Sequence, residues 1–149
     1  MLHYLIDFIQ LNYMTLLTWT QDNSVGVEEL DGQHQKLFSI INNLYDLMRE
    51  SKTEKELQKV LQELIDYAKY HFNTEEKYFD EYKYPNKDVH ISYHRAYEEK
   101  VNNFMIESKK GLEVIISYDV LDFLEDWWLK HINIEDKKYS TFFHEHGLK

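Results

Sequence analysis

The 149-residue chain contains no cysteine. That removes disulfides, thiolate metal sites, iron–sulfur clusters and thiol nucleophiles from consideration. It has one proline and four glycines, too few turn formers for an all-β fold, and its leucine, lysine and glutamate content favours helices. Positive charge is scarce as well. Seventeen Lys and Arg face 27 Asp and Glu, for a net charge of −10, and no basic block is longer than a dipeptide. Such a surface excludes nucleic acid and anionic membranes as expected partners. Long apolar runs are missing too. The opening MLHYLIDFIQLNY is interrupted by Asp7 and is too short to span a bilayer. It lacks the basic start and the small-residue cleavage site of a secretory signal, so a cytoplasmic protein is expected.

What is present is a globular composition, 43% hydrophobic and 15% aromatic, enough for one domain with a real core. Residues 1–17 are expected to form an N-terminal extension or arm, either upstream of a functional start near Met14 or packed on the domain. Residues 18–149 form the domain itself. Four amphipathic patterns follow. The first runs from Val27 to Glu50 with Leu30, His34, Leu37, Ile41, Leu44 and Met48 on one face. Thr53 and Glu56 read as a capping box for the second, whose stripe is Leu57, Leu61, Leu64, Ala68, His71, Glu75 and Phe79 and which stops before Pro85. The third carries His90, His94, Tyr97, Val101, Phe104 and Ser108 and ends near Gly111. Ser117 can cap the fourth, with Leu121, Leu124, Trp128 and His131 inward and Trp127 beside them. Short connections between long helices predict an all-α, up-down-up-down antiparallel four-helix bundle, with a short terminal segment from Lys137 to Lys149.

Five of the eight histidines fall on these inward stripes: His34, His71, His90, His94 and His131. Glu75 lies four residues after His71, and His94 four after His90, so each pair shares a helix face. Buried imidazoles and carboxylates are costly unless paired or bound to metal, and this mixture suits iron, zinc or copper. Asp136 belongs to the set but sits five residues after His131, about 140° around a regular helix. For both to point inward, the helix must end or distort between them, and Asn133 is a tolerable place for the break. His3, His144 and His146 read as surface residues, and Asp22, Glu28 and Glu29 as solvated or capping charges. Glu76 points about 100° away from Glu75, toward solvent or behind a ligand. Five imidazoles, two bridging carboxylates and one bridging oxygen species fall one bond short of two six-coordinate metals. That leaves a position for a small molecule.

The elements TWTQDNSVGVEELDGQHQKLF (18–38), HFNTEE (71–76), the Tyr84-Pro85 turn, HISYH (90–94) and HINIEDKKY (131–139), in this order, resemble the hemerythrin family and within it the bacterial hemerythrins, over residues 18–143. The resemblance implies a non-haem di-iron site, oxo- or hydroxo-bridged, that binds O₂ reversibly for storage, delivery or scavenging. It implies that His90, His94 and His131 hold the saturated iron, that His34 and His71 hold the iron with the open position, and that Glu75 and Asp136 bridge. It also accounts for the five-residue step, because the family's aspartate follows a local departure from the helix. Trp128 stands where the bacterial proteins often carry an aliphatic residue beside the O₂ position; with Phe72 and Leu37 it is a candidate pocket wall. The competing readings are O₂ sensing, which would require a protein partner that the sequence does not identify, and peroxide or nitric oxide reduction at the same site. With no positioned general acid in view, the protein is expected not to be an enzyme.

Overall fold

The computed structural model describes residues 15–110 and 117–149. Most of the N-terminal arm and the expected helix stop at Gly111 therefore lie outside the described residues. A 3-10 turn at Gln21–Asn23 leads into α1 (Glu28–Arg49), α2 (Glu54–Glu81), α3 (Lys87–Lys109) and α4 (Tyr118–Lys130). A π-helical segment, His131–Asp136, runs on directly into α5 (Lys137–Glu145). The architecture is the antiparallel four-helix bundle, with α4, the π segment and α5 forming one continuous fourth column. No helix among the described residues is long and apolar enough to cross a membrane.

The helix ends follow local chemistry. At the start of α2, Glu56 N–H donates to Thr53 Oγ1 (3.3 Å) while Glu56 Oε2 accepts from Thr53 N–H (2.9 Å), the reciprocal pair the sequence announced. Ser117 does stand at the N-cap of α4, but its side chain makes no capping bond. Helices α1, α2 and α5 all close with a left-handed residue, Ser51 (φ 54°), Lys83 (φ 56°) and Gly147 (φ 87°). In each case the next N–H reaches back five residues: Lys52 to Leu47 O (3.0 Å), Tyr84 to Phe79 O (2.8 Å), Leu148 to Phe143 O (2.9 Å). These are Schellman closures. Two of the three use a residue that pays a steric cost glycine avoids, in a chain with little glycine to spare.

The stripes bury almost as read. In α3 the fifth inward position is Met105, with Phe104 only half-buried. The core divides into two apolar layers. One holds Leu37, Phe72, Tyr97, Trp128 and Ile132 among others. The second holds Val25, Val27, Leu30, Phe79, Tyr84, Tyr139 and Phe143. Burying each such side chain contributes about 1.5–3 kcal/mol. Helices α1 and α2 and the fourth column each cross from one layer to the other, and at the crossing they place histidine or carboxylate: His34 between Leu30 and Leu37, Glu75 between Phe72 and Phe79, His131 and Asp136 between Trp128 and Tyr139.

The segment before α1 is tied to the bundle. Leu17 is buried, its N–H donates to Asn42 Oδ1 and its carbonyl accepts from Asn42 Nδ2, both at 2.8 Å. Val25 N–H donates to Asp31 Oδ1 (2.7 Å), and Ser140 Oγ and Lys137 Nζ donate to the carbonyls of Val25 and Ser24. The residues after Lys137 are thus a packed helix, with Tyr139 and Phe143 wholly buried.

Candidate metal centre

All seven side chains singled out above meet in the polar layer. His34, His71, Glu75, His94 and Asp136 have essentially no exposed surface, and His90 and His131 are 3% exposed. The π segment explains how His131 and Asp136 both arrive there. In a π turn the backbone bond runs from residue i to i+5, so side chains five apart stack on one face, and His131 Nε2 lies 3.1 Å from Asp136 Oδ1. The helix widens without stopping. Asn133 keeps ordinary helical handedness and accepts from Asn23 Nδ2 at 2.9 Å.

The two carboxylates divide the histidines between their oxygens. Glu75 Oε1 lies 3.4 Å from His71 Nε2 and 3.9 Å from His34 Nε2; Glu75 Oε2 lies 3.0 Å from His94 Nε2 and 3.5 Å from His90 Nε2. Asp136 Oδ2 is 3.1 Å from His34 Nε2, and Oδ1 is 3.1 Å from the Nε2 atoms of His90 and His131. Two donor groups result, His34–His71–Glu75–Asp136 and Glu75–His90–His94–His131, each with ligand atoms within 4.8 Å of one another.

The donors fit a cation better than they fit each other. His34 and His71 bring Nε2 atoms to 3.1 Å, His94 and His131 to 3.2 Å. Glu75 Oε2, His90 Nε2 and both oxygens of Asp136 are buried without a hydrogen-bond partner among the described residues, a costly state that a metal would relieve. The titration behaviour carries the same strain. For Glu75, burial pushes the carboxyl up, but His71, His90 and His94 outweigh it and hold the group well below its usual range. For Asp136, burial and Glu75 push up, and His131 and His34 prevail, again well below the usual range. Burial lowers His71 against the pull of Glu75. His90 goes the other way: burial would lower it, yet Asp136 and Glu75 raise it to about 10.

The family profile described as "Hemerythrin HHE cation binding domain" matches residues 25–143. The chain belongs to the hemerythrin family. Membership implies a non-haem iron site, and the buried cluster is where the chain offers one. Among related hemerythrins, the bacteriohemerythrin of Clostridium acetobutylicum is 28% identical over 127 residues, covering 83% of this chain and 98% of that protein. The bacteriohemerythrin of Methylococcus capsulatus is 30% identical over 131 residues, covering 85% and 96%, and a hemerythrin-like protein of Naegleria gruberi is 30% identical over 122 residues, covering 82% and 89%. A wild-type hemerythrin crystal structure superposes with a TM-score of 0.79 at 29% identity, covering 85% of this chain and 96% of the other. A leucine-to-alanine variant of hemerythrin gives 0.80, covering 86% and 97%.

Around the hemerythrin cluster stand Gln33, Tyr139 and Trp19, with no role assigned from sequence, and others already named there. Gln33 Oε1 accepts from His71 Nδ1 at 2.8 Å. Tyr139 OH donates to Glu75 Oε1 at 2.5 Å, and burial, then Asp136 and Glu75, hold that phenol well above its usual range. Trp19 packs 6.3 Å from the His34 ring. Trp127 is stacked on His131, with ring centroids 4.3 Å apart and planes 13° apart. Glu76 stands behind His94, accepting from its Nδ1 at 2.9 Å. Phe72 stacks on His94 (3.9 Å, 10°) and on Trp128 (5.5 Å, 19°), while the Trp128 ring lies 5.9 Å from that of His71. Leu37, Phe72 and Trp128 are fully buried. His144 and His146 are exposed, as expected, though His144 Nε2 reaches Gly26 O and His146 Nδ1 reaches Phe142 O, both at 2.7 Å.

Proposed function

We propose that this hemerythrin binds O₂ reversibly at a non-haem di-iron centre, in the cytoplasm, for storage, delivery or scavenging. In this reading His90, His94 and His131 would hold one iron and His34 and His71 the other, and Glu75 and Asp136 would each offer an oxygen to both. The observation that carries it is the division of both carboxylates, one oxygen to each histidine group. A single-metal site would have no use for that division. Bound there, iron would supply the electrons that O₂ takes up on binding and returns on release.

The chain's own residues do the rest. Gln33 and Glu76 hold Nδ1 protonated on His71 and His94, which leaves Nε2 free to ligate. Leu37, Phe72 and Trp128 wall the layer against water on one side, and Phe79, Tyr139 and Phe143 on the other. Five neutral imidazoles against two carboxylates give a donor set poorer in negative charge than carboxylate-rich di-iron enzymes use. Release of O₂ is thereby favoured over cleavage of its bond.

The test is metal analysis joined to an optical spectrum. Two irons per chain, with visible bands that appear in air and vanish on oxygen removal over repeated cycles, support the proposal. Irreversible bleaching with peroxide or nitric oxide turnover, substrate hydroxylation, or stoichiometric zinc with a featureless spectrum would refute it.

A further inference from the structure

His71 and His94 occupy matching places in the two donor groups. Each turns Nε2 toward Glu75, at 3.4 and 3.0 Å, and Nδ1 away from it. What Nδ1 meets differs in charge. His71 meets the amide oxygen of Gln33, whose orientation is fixed because Gln33 Nε2 donates to Thr74 Oγ1 at 3.2 Å, and Thr74 Oγ1 in turn donates to Tyr70 O at 3.1 Å. His94 meets the carboxylate of Glu76, whose second oxygen is paired with Arg95 at 2.5 Å. Both contacts fix the same tautomer. A charged acceptor, however, makes a hydrogen bond about twice as strong as a neutral one, and it draws the proton further off the ring. His94 becomes the more basic, more strongly donating ligand.

Two other observations tilt the site the same way. Tyr139 donates to Glu75 Oε1, the oxygen on the His34–His71 side, and so drains charge from it, whereas Glu75 Oε2 on the His90–His94 side accepts no hydrogen bond from the described residues. His34 Nδ1 is buried and has no hydrogen-bond partner among the described residues, so nothing there strengthens that ring.

We infer that Glu76 and Gln33 are positioning residues that grade the two metal positions. Glu76 makes the His90–His94–His131 position the tighter one, beyond the effect of its extra histidine, and the neutral Gln33 keeps the His34–His71 position weaker. The inference rests on the two-metal reading.

The experiment is an anaerobic titration of the metal-free full chain with cobalt(II), a redox-stable probe. It is followed by visible absorption and by the hyperfine-shifted NMR signals of the Nδ1 protons. The wild type should bind in two resolved steps. Glu76→Gln should weaken the first step by about 10- to 100-fold, the usual effect of removing a ligand's supporting partner, and leave the second unchanged. Glu76→Asp, which keeps the charge, should recover part of the loss. Gln33→Glu should tighten the second step and narrow the gap. Equal weakening of both steps in Glu76→Gln, or no weakening, overturns the inference while leaving the two-metal reading intact. Failure of the wild type to take up a second cobalt overturns that reading itself. If Glu76→Gln does not fold, Gln33→Glu decides alone: a narrowed gap supports the grading and an unchanged gap overturns it.

Discussion

Trp128 and Tyr97 form a buried polar pair inside an apolar layer, and a double-mutant cycle measures what that pair is worth. The indole Nε1–H donates to the Tyr97 hydroxyl at 2.9 Å, with the two residues 0% and 1% exposed. Burial raises the Tyr97 phenol well above its usual range, only partly offset by Trp128, so it stays protonated at any working pH. Tyr97→Phe removes one oxygen and strands the indole N–H, at a cost of about 1–3 kcal/mol. Trp128→Phe strands the hydroxyl at a similar cost and adds a cavity beside Phe72, for a total of about 2–4 kcal/mol. In the double variant neither polar group remains, so the two stranding costs disappear together. The double loss should fall short of the sum by about 2–6 kcal/mol, the two stranding costs together. Urea denaturation of the metal-free protein, with m constant across the four proteins, gives the four free energies. Additivity within about 0.5 kcal/mol would show the hydrogen bond to be energetically empty and refute the argument. The functional arm uses Trp128→Leu and Trp128→Ala. Because the ring lies 5.9 Å from that of His71, both variants should change the rate at which the air-dependent spectrum decays. Equal decay in wild type and both variants would remove Trp128 from the pocket wall.

Two further outcomes follow from the geometry. His90 is raised from 6.5 to about 10 by Asp136 and Glu75 against burial. Its contribution to the metal-free protein is complete below about pH 6.5 and is lost as the pH climbs toward 10, so unfolding free energy from denaturant titrations should fall across that window. Metal at Nε2 displaces the same proton, so uptake should release protons and tighten over the same range; a pH-independent affinity would contradict this. Gly26 has φ +71°, and a Cβ there would sit 2.4 Å from His144 Cε1. Gly26→Ala should cost about 1–2 kcal/mol from backbone strain alone, and Gly26→Ala in a His144→Ala background should keep that cost. A neutral thermal shift in both would show that the turn relaxes freely.

The helices and six of the seven clustered side chains were legible because each of the six sits on a stripe of period 3.6, where an inward imidazole or carboxylate stands out against leucine. The supporting residues were not. Gln33 adjoins His34 in sequence but serves His71 on another helix, a pairing that only packing creates. Glu76 could be read as facing solvent or backing a ligand, because its angle relative to Glu75 says nothing of what α3 brings opposite it. Tyr139 closes the HINIEDKKY element, but spacing alone gave its hydroxyl no partner. Closure by Ser51 and Lys83 escaped notice because the residue that advertises a left-handed end, glycine, is absent from both. The five-residue step from His131 to Asp136 did announce a distortion, but not its kind. A π turn carries no mark of its own in sequence, and the expected weak point, Asn133, turned out to be pinned to Asn23.

That π turn acts as a phase shift. It inserts one residue's worth of rotation between Trp128 and Tyr139, so the fourth column carries two hydrophobic stripes that are out of register with each other. Were residues 131–136 to run as uninterrupted α-helix at their present length, that shift would be lost. Asp136 would then turn by about 100°, away from both donor groups, and would take Tyr139 and Phe143 out of the lower core layer with it. The placement of Asp136 in the cluster and the packing of α5 therefore hang on one turn of backbone, and the five-residue step stays on one face only while that turn is wound as π.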